Sequence, residues 1–312
     1  MVYLSAVYLL VFVSLTYCSS GDRSGEFSSC VYSCRRSVCA GEGGGDLSLV
    51  LRALGWTCGE ECQYQCMHNI TTEDLRNHRP VRQFYGKWPF VRVLGVQEPA
   101  SALFSVLNAL GLVVGYTRFR RLSPSTYPYH SILGLQLIVC LHTWFWSTVF
   151  HSRDTYWTER LDYFSAASMI VAGILAQFVR LTGLKHWRWH LCYAGLWLVL
   201  FSCHVGYLTM FKFDYGYNMA ASVLAGVLYA VVWLIWCIKV YQQRPYVWKC
   251  LACVLAASCF LALELLDFPP LLWIIDAHSL WHLSTAPLPL LWYSFLTDDA
   301  HYEVAVQLAK QV

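Results

Sequence analysis

The sequence predicts an all-α membrane protein, with seven transmembrane helices following a small disulfide-rich luminal N-terminal domain. Three observations predict it. Only 13% of the 312 residues are charged, while 57% are hydrophobic and 16% aromatic. A soluble domain carries about 25% charged residues, so much of this surface is built to face lipid. From Pro99 onward, apolar blocks of bilayer-spanning length, about 20 residues each, succeed one another. Six cysteines gather in a Gly-rich stretch ahead of them. The net charge of +3 is too small to point to nucleic acid. Basic runs, Gly-rich phosphate loops, dinucleotide fingerprints and heme-attachment motifs are absent.

Residues 1–20 read as a signal peptide: an apolar stretch from Val7 to Thr16, then Cys18 and Ser20 as small residues before a cut near Gly21. The following segment, 21–98, is then delivered to the secretory lumen. There Cys30, Cys34, Cys39, Cys58, Cys62 and Cys66 imply a disulfide framework, in any of the fifteen pairings that six cysteines allow. The Gly41–Gly45 stretch between the two clusters suggests bridges from one cluster to the other. The spacings Cys30/Cys34 and Cys58/Cys62 each put two thiols on one helix face, so two short stapled helices are expected. A zinc module is the rival reading, disfavoured in an oxidising lumen. Asn69-Ile70-Thr71 is an N-glycosylation sequon.

Seven spans are expected near 100–117, 131–151, 160–180, 190–210, 217–238, 249–267 and 271–296. They make a transmembrane domain over 99–296 and leave 297–312 as a tail. Asp267-Phe268-Pro269-Pro270 should force a tight turn between the last two, because proline cannot continue a helix. The loops after spans one, three and five carry Arg118, Arg120, Arg121, Arg180, Lys185, Arg188, Lys239, Arg244 and Lys249. Those after spans two, four and six carry only Arg153, Arg160 and Lys212. The positive-inside rule puts the larger set in the cytosol, which makes the N-terminal domain luminal and the tail cytosolic.

Polar residues inside spans are expensive and mark function by default. Here most collect near the luminal boundary: Ser147 and His151 ending span two, Glu159 and Asp162 opening span three, Asp276, His278 and His282 opening span seven. His278 and His282 are four apart on one helix, so both imidazoles leave the same face and can bind one metal. With His151 they form the three-histidine set of a catalytic zinc, which lowers the pKa of bound water to about 7. Asp162 would hold that water and move its proton, and Ser147 would donate to the developing oxyanion. His204 is a further ligand or an interhelical hydrogen-bonding group, and His142 faces elsewhere by helical phase. Asp276, Glu264 and Asp267 read as supporting partners or interfacial charges.

The run Phe150-His151-Ser152-Arg153-Asp154-Thr155-Tyr156-Trp157-Thr158-Glu159-Arg160-Leu161-Asp162-Tyr163 resembles the signature of the GPI-remodelling phospholipase family, the Per1-like, post-GPI attachment to proteins factor 3 type. That family sits in a wider superfamily of seven-helix membrane hydrolases with the alkaline ceramidases and the progestin/adiponectin-type receptors. The superfamily pattern is a serine and a histidine four apart, an aspartate eleven further on and a late HxxxH. Ser147, His151, Asp162, His278 and His282 match it without departure in spacing. The resemblance covers nearly the whole chain, including the Cys-rich domain. It implies a zinc-dependent, phospholipase A2-type ester hydrolase that removes the unsaturated sn-2 acyl chain from GPI-anchored proteins in the luminal leaflet. Its substrates are GPI-anchored proteins and membrane phospholipid, and its compartment is the Golgi membrane, with the endoplasmic reticulum as a further site. Two other classes fit the same residues: a heptahelical receptor keeping a structural zinc, or a non-catalytic subunit that presents GPI to another acyl hydrolase.

Overall fold

The computed structural model describes residues 19–39 and 47–310. The expected signal peptide, apart from Ser19 and Ser20, and the Gly41–Gly45 stretch lie outside the described residues, as do residues 311–312. Among the described residues the chain forms eleven α-helices and no strand beyond isolated bridges. They are α1 (Gly25–Val38), α2 (Leu49–Ala53), α3 (Cys58–Arg76), α4 (Pro99–Leu122), α5 (His130–Ser152), α6 (Tyr156–Thr182), α7 (Trp187–Met210), α8 (Tyr215–Val240), α9 (Trp248–Leu265), α10 (Ala277–Thr285) and α11 (Leu288–Ala309). The chain divides into two compact units: Met1–Ala102 with His151–Asp154 and Leu265–Leu280, and Leu103–Phe150 with Thr155–Glu264 and Trp281–Val312.

In the first unit, Ser24 caps α1 by accepting from the Phe27 amide. A capping box of Thr57 and Glu60 starts α3, satisfying amides that a helix start leaves open. The two helices are joined by nested bridges, Cys30–Cys66, Cys34–Cys62 and Cys39–Cys58. All six sulfurs are thus paired across the two clusters, which displaces the zinc-module reading of these cysteines. Phe27 and Val31 pack with Ile70 and Phe84 beside them, and buried Asp74 accepts from Arg79 and Arg82. Beyond α3 the chain makes tight turns at Tyr85-Gly86 and Leu94-Gly95, closed by the pairs Phe84–Lys87 and Val93–Val96. The expected tight turn at Asp267–Pro270 is instead the start of a longer connection that ends in a third turn, Leu271–Ile275. It is extended because Asp267 is held by Trp88 Nε1 and Gln83 Nε2, at 2.6 and 2.9 Å.

Among the described residues, six helical segments are long and apolar enough to cross a membrane: Pro99–Leu122, His130–Ser152, Tyr156–Thr182, Leu184–Met210, Tyr215–Val240 and Pro245–Glu264. They coincide with the first six expected spans. The seventh differs, because the chain over 271–296 is not one helix. α10 ends at Thr285, and α11 starts at Leu288 after Pro287, which has no amide hydrogen to continue the ladder. α11 also carries Asp298, Asp299 and Glu303, and it runs on to Ala309 through the residues expected as a tail. Gly111 of α4 lets this break approach: a Cβ there would stand 2.6 Å from the Ala286 carbonyl oxygen.

The far end of the second unit is tied by charge. Asp299, 1% exposed in its side chain, accepts a bidentate pair from Arg180 at 2.6 and 2.7 Å, with Arg244 at 3.2 Å and the Tyr246 hydroxyl at 2.9 Å. Glu303 accepts from the same two arginines, at 2.9 and 2.6 Å. Lys249 reaches Asp298 at 2.6 Å. Three of the basic residues that follow odd-numbered spans therefore meet the acidic end of α11.

Candidate metal centre

In the first unit, the last turn of α5 presents His151, which is 2% exposed. The chain entering α4 runs against it: the Gln97 and Glu98 amides donate to the Ser152 and His151 carbonyls, at 3.0 and 2.9 Å. This backbone pairing brings the Glu98 carboxylate to 2.7 Å from His151 Nδ1. Lys87 binds the other Glu98 oxygen and also pairs with Asp154 at 2.9 Å. Burial alone would push the Glu98 carboxyl up, but the Lys87 ammonium and the His151 ring outweigh it and hold it well below the usual carboxylate range. A carboxylate on one ring nitrogen fixes the orientation of a histidine and leaves the other nitrogen to a metal. The segment after His151 is further fixed by Trp56, whose ring lies against the guanidinium groups of Arg92 and Arg153, at 3.4 and 3.7 Å.

His151 Nε2 faces His278 Nε2 at 3.2 Å. Two nitrogens each about 2.05 Å from one ion, and separated by the tetrahedral angle, would lie about 3.3 Å apart. The donor pair therefore fits a shared metal. His278 stands in the first turn of α10, whose start is capped by Asp276, Oδ1 accepting from the Ser279 amide at 2.8 Å. Asp276 is thus occupied as a cap. One turn further along α10, on the face of His278, comes His282. Within the first unit, His151 and His278 thus each present a ring nitrogen that could serve a metal. Cys39, Cys58 and Cys62 also lie together, but their sulfurs are in disulfides.

In the second unit, His282 is 2% exposed. Its carbonyl accepts from Asn108 Nδ2 at 2.7 Å, and its Nδ1 is 3.5 Å from Ser105 Oγ. Ser105 Oγ is in turn 3.0 Å from Ser147 Oγ, so a serine pair lies beside the imidazole. Thr143, one turn before Ser147 on α5, donates to the Ser165 carbonyl at 2.8 Å. Ser165 lies one turn after Asp162 on α6, and Ser165 Oγ donates to the Asp162 carbonyl at 2.8 Å. Because α5 and α6 run antiparallel at this contact, Ser147 and Asp162 lie at the same level. His204 bonds Asn218 Oδ1 at 3.1 Å, and His142 accepts from Trp146 Nε1 at 2.9 Å; both are engaged in interactions other than ligation. Asn69 is exposed on α3.

Four residues beside these groups are not singled out by the sequence motifs: Lys87, Glu98, Ser105 and Asn108. Glu98 reads as a domain boundary because Pro99 follows it. A signal does exist for α4, where Ser101, Ser105 and Asn108 recur at helical spacing on an otherwise apolar span. All three are at most 1% exposed.

The Per1-like family model matches residues 48–300. A Xenopus tropicalis protein named GPI-specific phospholipase A2-like PGAP3 is 44% identical over 303 residues, covering 95% of this chain and 96% of its own. The Homo sapiens protein of that name is 42% identical, covering 91% and 90%. The Drosophila melanogaster protein named post-GPI attachment to proteins factor 3 is 38% identical, covering 93% and 92%. No solved structure matches the chain.

Proposed function

The chain belongs to the Per1-like family, and from that premise we propose that it remodels GPI-anchor lipid as a metal-dependent, phospholipase A2-type hydrolase. The observation that carries the reading is the His151–His278 pair, Nε2 to Nε2 at 3.2 Å, with Glu98 fixing the first ring from behind. His151, His278 and His282 would hold the ion, and zinc is the metal that an all-imidazole donor set suits. When bound, the ion polarises an ester carbonyl and makes water more acidic. Around it, Ser147 donates a hydrogen bond to the oxyanion as the sn-2 carbonyl is attacked. Asp162 accepts a proton from the attacking water and passes it to the departing lyso-lipid oxygen as the acyl carbon–oxygen bond breaks. The products are a free fatty acid and a lyso-GPI anchor.

The decisive test uses full-length protein purified in lipid nanodiscs with a defined GPI-anchored substrate. Release of the sn-2 fatty acid is expected, abolished by a chelator and restored by added Zn2+. Metal-loaded protein that releases nothing, while cells lacking it still fail to remodel, would replace the hydrolase with a subunit that presents GPI to another enzyme.

We place this site at the luminal boundary of the Golgi membrane, with the disulfide-rich domain luminal and the chain's end cytosolic. The basic bias of the odd-numbered loops and the sequon support that orientation. Asn69→Gln should then remove one glycosidase-sensitive mass step, while a C-terminal tag is reached only from the cytosol. A tag protected in selectively permeabilised cells rules this orientation out.

A further inference from the structure

Among the described residues, the first unit carries an apolar edge left exposed at two turns. Leu271 is 58% exposed and Leu272 84%, at the Leu271–Ile275 turn; Leu94 is 80% exposed at the Leu94-Gly95 turn, with Val93 at 43%. The two turns are neighbours, because the Val91 amide donates to the Trp273 carbonyl at 2.8 Å. Leu94, Leu272 and Trp273 all have left-handed backbones, with φ of 51, 54 and 61°. That region disfavours any residue with a Cβ and is ordinarily given to glycine or asparagine. A leucine at such a position gains nothing locally, and an exposed one gains nothing from the protein interior. A partner beyond the described residues must reward it.

The position along the chain says what that is. Leu271 and Leu272 lie in the connection between the segment Pro245–Glu264, which is long and apolar enough to cross a membrane, and α10, so on the membrane-spanning reading the turn follows directly on the chain's exit from the bilayer. Trp273 beside them is of the type that prefers the membrane–water interface, and residues 268–275 contain no charge. We propose that the tips of these two turns, Leu272 and Leu94, are seated in the acyl-chain layer of the leaflet facing the first unit, and that lipid is the partner of this edge. Seated there, the turns hold the unit that carries His151 and His278 down on the membrane. The proposal rests on the membrane-spanning reading and is independent of hydrolysis.

The test places the genetically encoded fluorophore dansylalanine at position 272, and separately at position 94, of the full-length protein in phosphatidylcholine nanodiscs. Position 77, held by exposed Asn77 at the end of α3, serves as the aqueous reference. Monodisperse elution with intact disulfides selects folded samples. At 272 and 94 the emission should be blue-shifted from that at 77 and quenched by lipids with doxyl groups on the acyl chains. Having two positions keeps the test open if one variant does not fold. Emission at 272 and 94 matching that at 77, without quenching by doxyl lipid, overturns the proposal, whether or not the protein cleaves ester.

Discussion

Replacing His151, His278 or His282 by Ala should strip most of the metal from the purified protein and abolish release of the sn-2 chain. An open site with two imidazoles competes poorly with water and loses the three-ligand arrangement typical of catalytic zinc. Metal content measured by plasma mass spectrometry should separate this group from two others. Glu98→Gln keeps the ligands but weakens the partner that orients His151, and loss of such a partner typically costs ~10–100-fold in metal affinity or activity. Ser147→Ala and Asp162→Ala should keep the metal and lose turnover, the serine by ~10²–10³-fold if it is a single oxyanion donor. In cells lacking the native gene, unsaturated sn-2 chains should persist on GPI-anchored proteins with every one of these variants. Full remodelling by the triple His→Ala protein contradicts the metal site outright.

The second large effect lies away from the chemistry. Asp299→Ala removes the carboxylate that Arg180, Arg244 and Tyr246 all approach, leaving Glu303 as the carboxylate that the two arginines share. Taking one partner from a buried ion pair costs ~3–5 kcal/mol. The variant should show a strongly lowered melting temperature in detergent and poor accumulation in cells. Asp298→Ala, whose partner Lys249 is 20% and whose own side chain is 38% exposed, should cost far less, since exposed pairs contribute about 0–1 kcal/mol. Equal melting temperatures for the two variants would show that the buried cluster contributes no more than a surface pair.

How much of this was legible in the sequence depended on the kind of signal. Six spans were, since length and hydropathy are properties of one continuous segment. The seventh was not, because Pro287 splits it and the charges of α11 find their partners in Arg180, Arg244 and Lys249, on segments distant in the chain. The His278/His282 pair was legible from a helical spacing, as was the Ser147/His151 pair. Glu98 and Lys87 were not, because Glu98 meets His151 through backbone pairing between segments more than fifty residues apart, and Lys87 joins them only through the Glu98 and Asp154 carboxylates. The cysteines announced a framework, and the Gly-rich gap pointed to bridges between clusters. Which thiol met which depended on α1 and α3 running in opposite directions.

That pairing makes the N-terminal domain self-checking. Closing Cys39 to Cys58, 19 residues apart, removes about 3 kcal/mol of loop freedom from the unfolded chain, and the outer pairs then close only short additional rings. Their larger contribution is to verify alignment. Cys30 and Cys34 sit one turn apart on α1, as do Cys62 and Cys66 on α3, so a slip of one turn would still let Cys34 meet Cys66 and Cys39 meet Cys62. It would strand Cys30 and Cys58 as free thiols, and those thiols chemically mark a misaligned domain apart from a finished one.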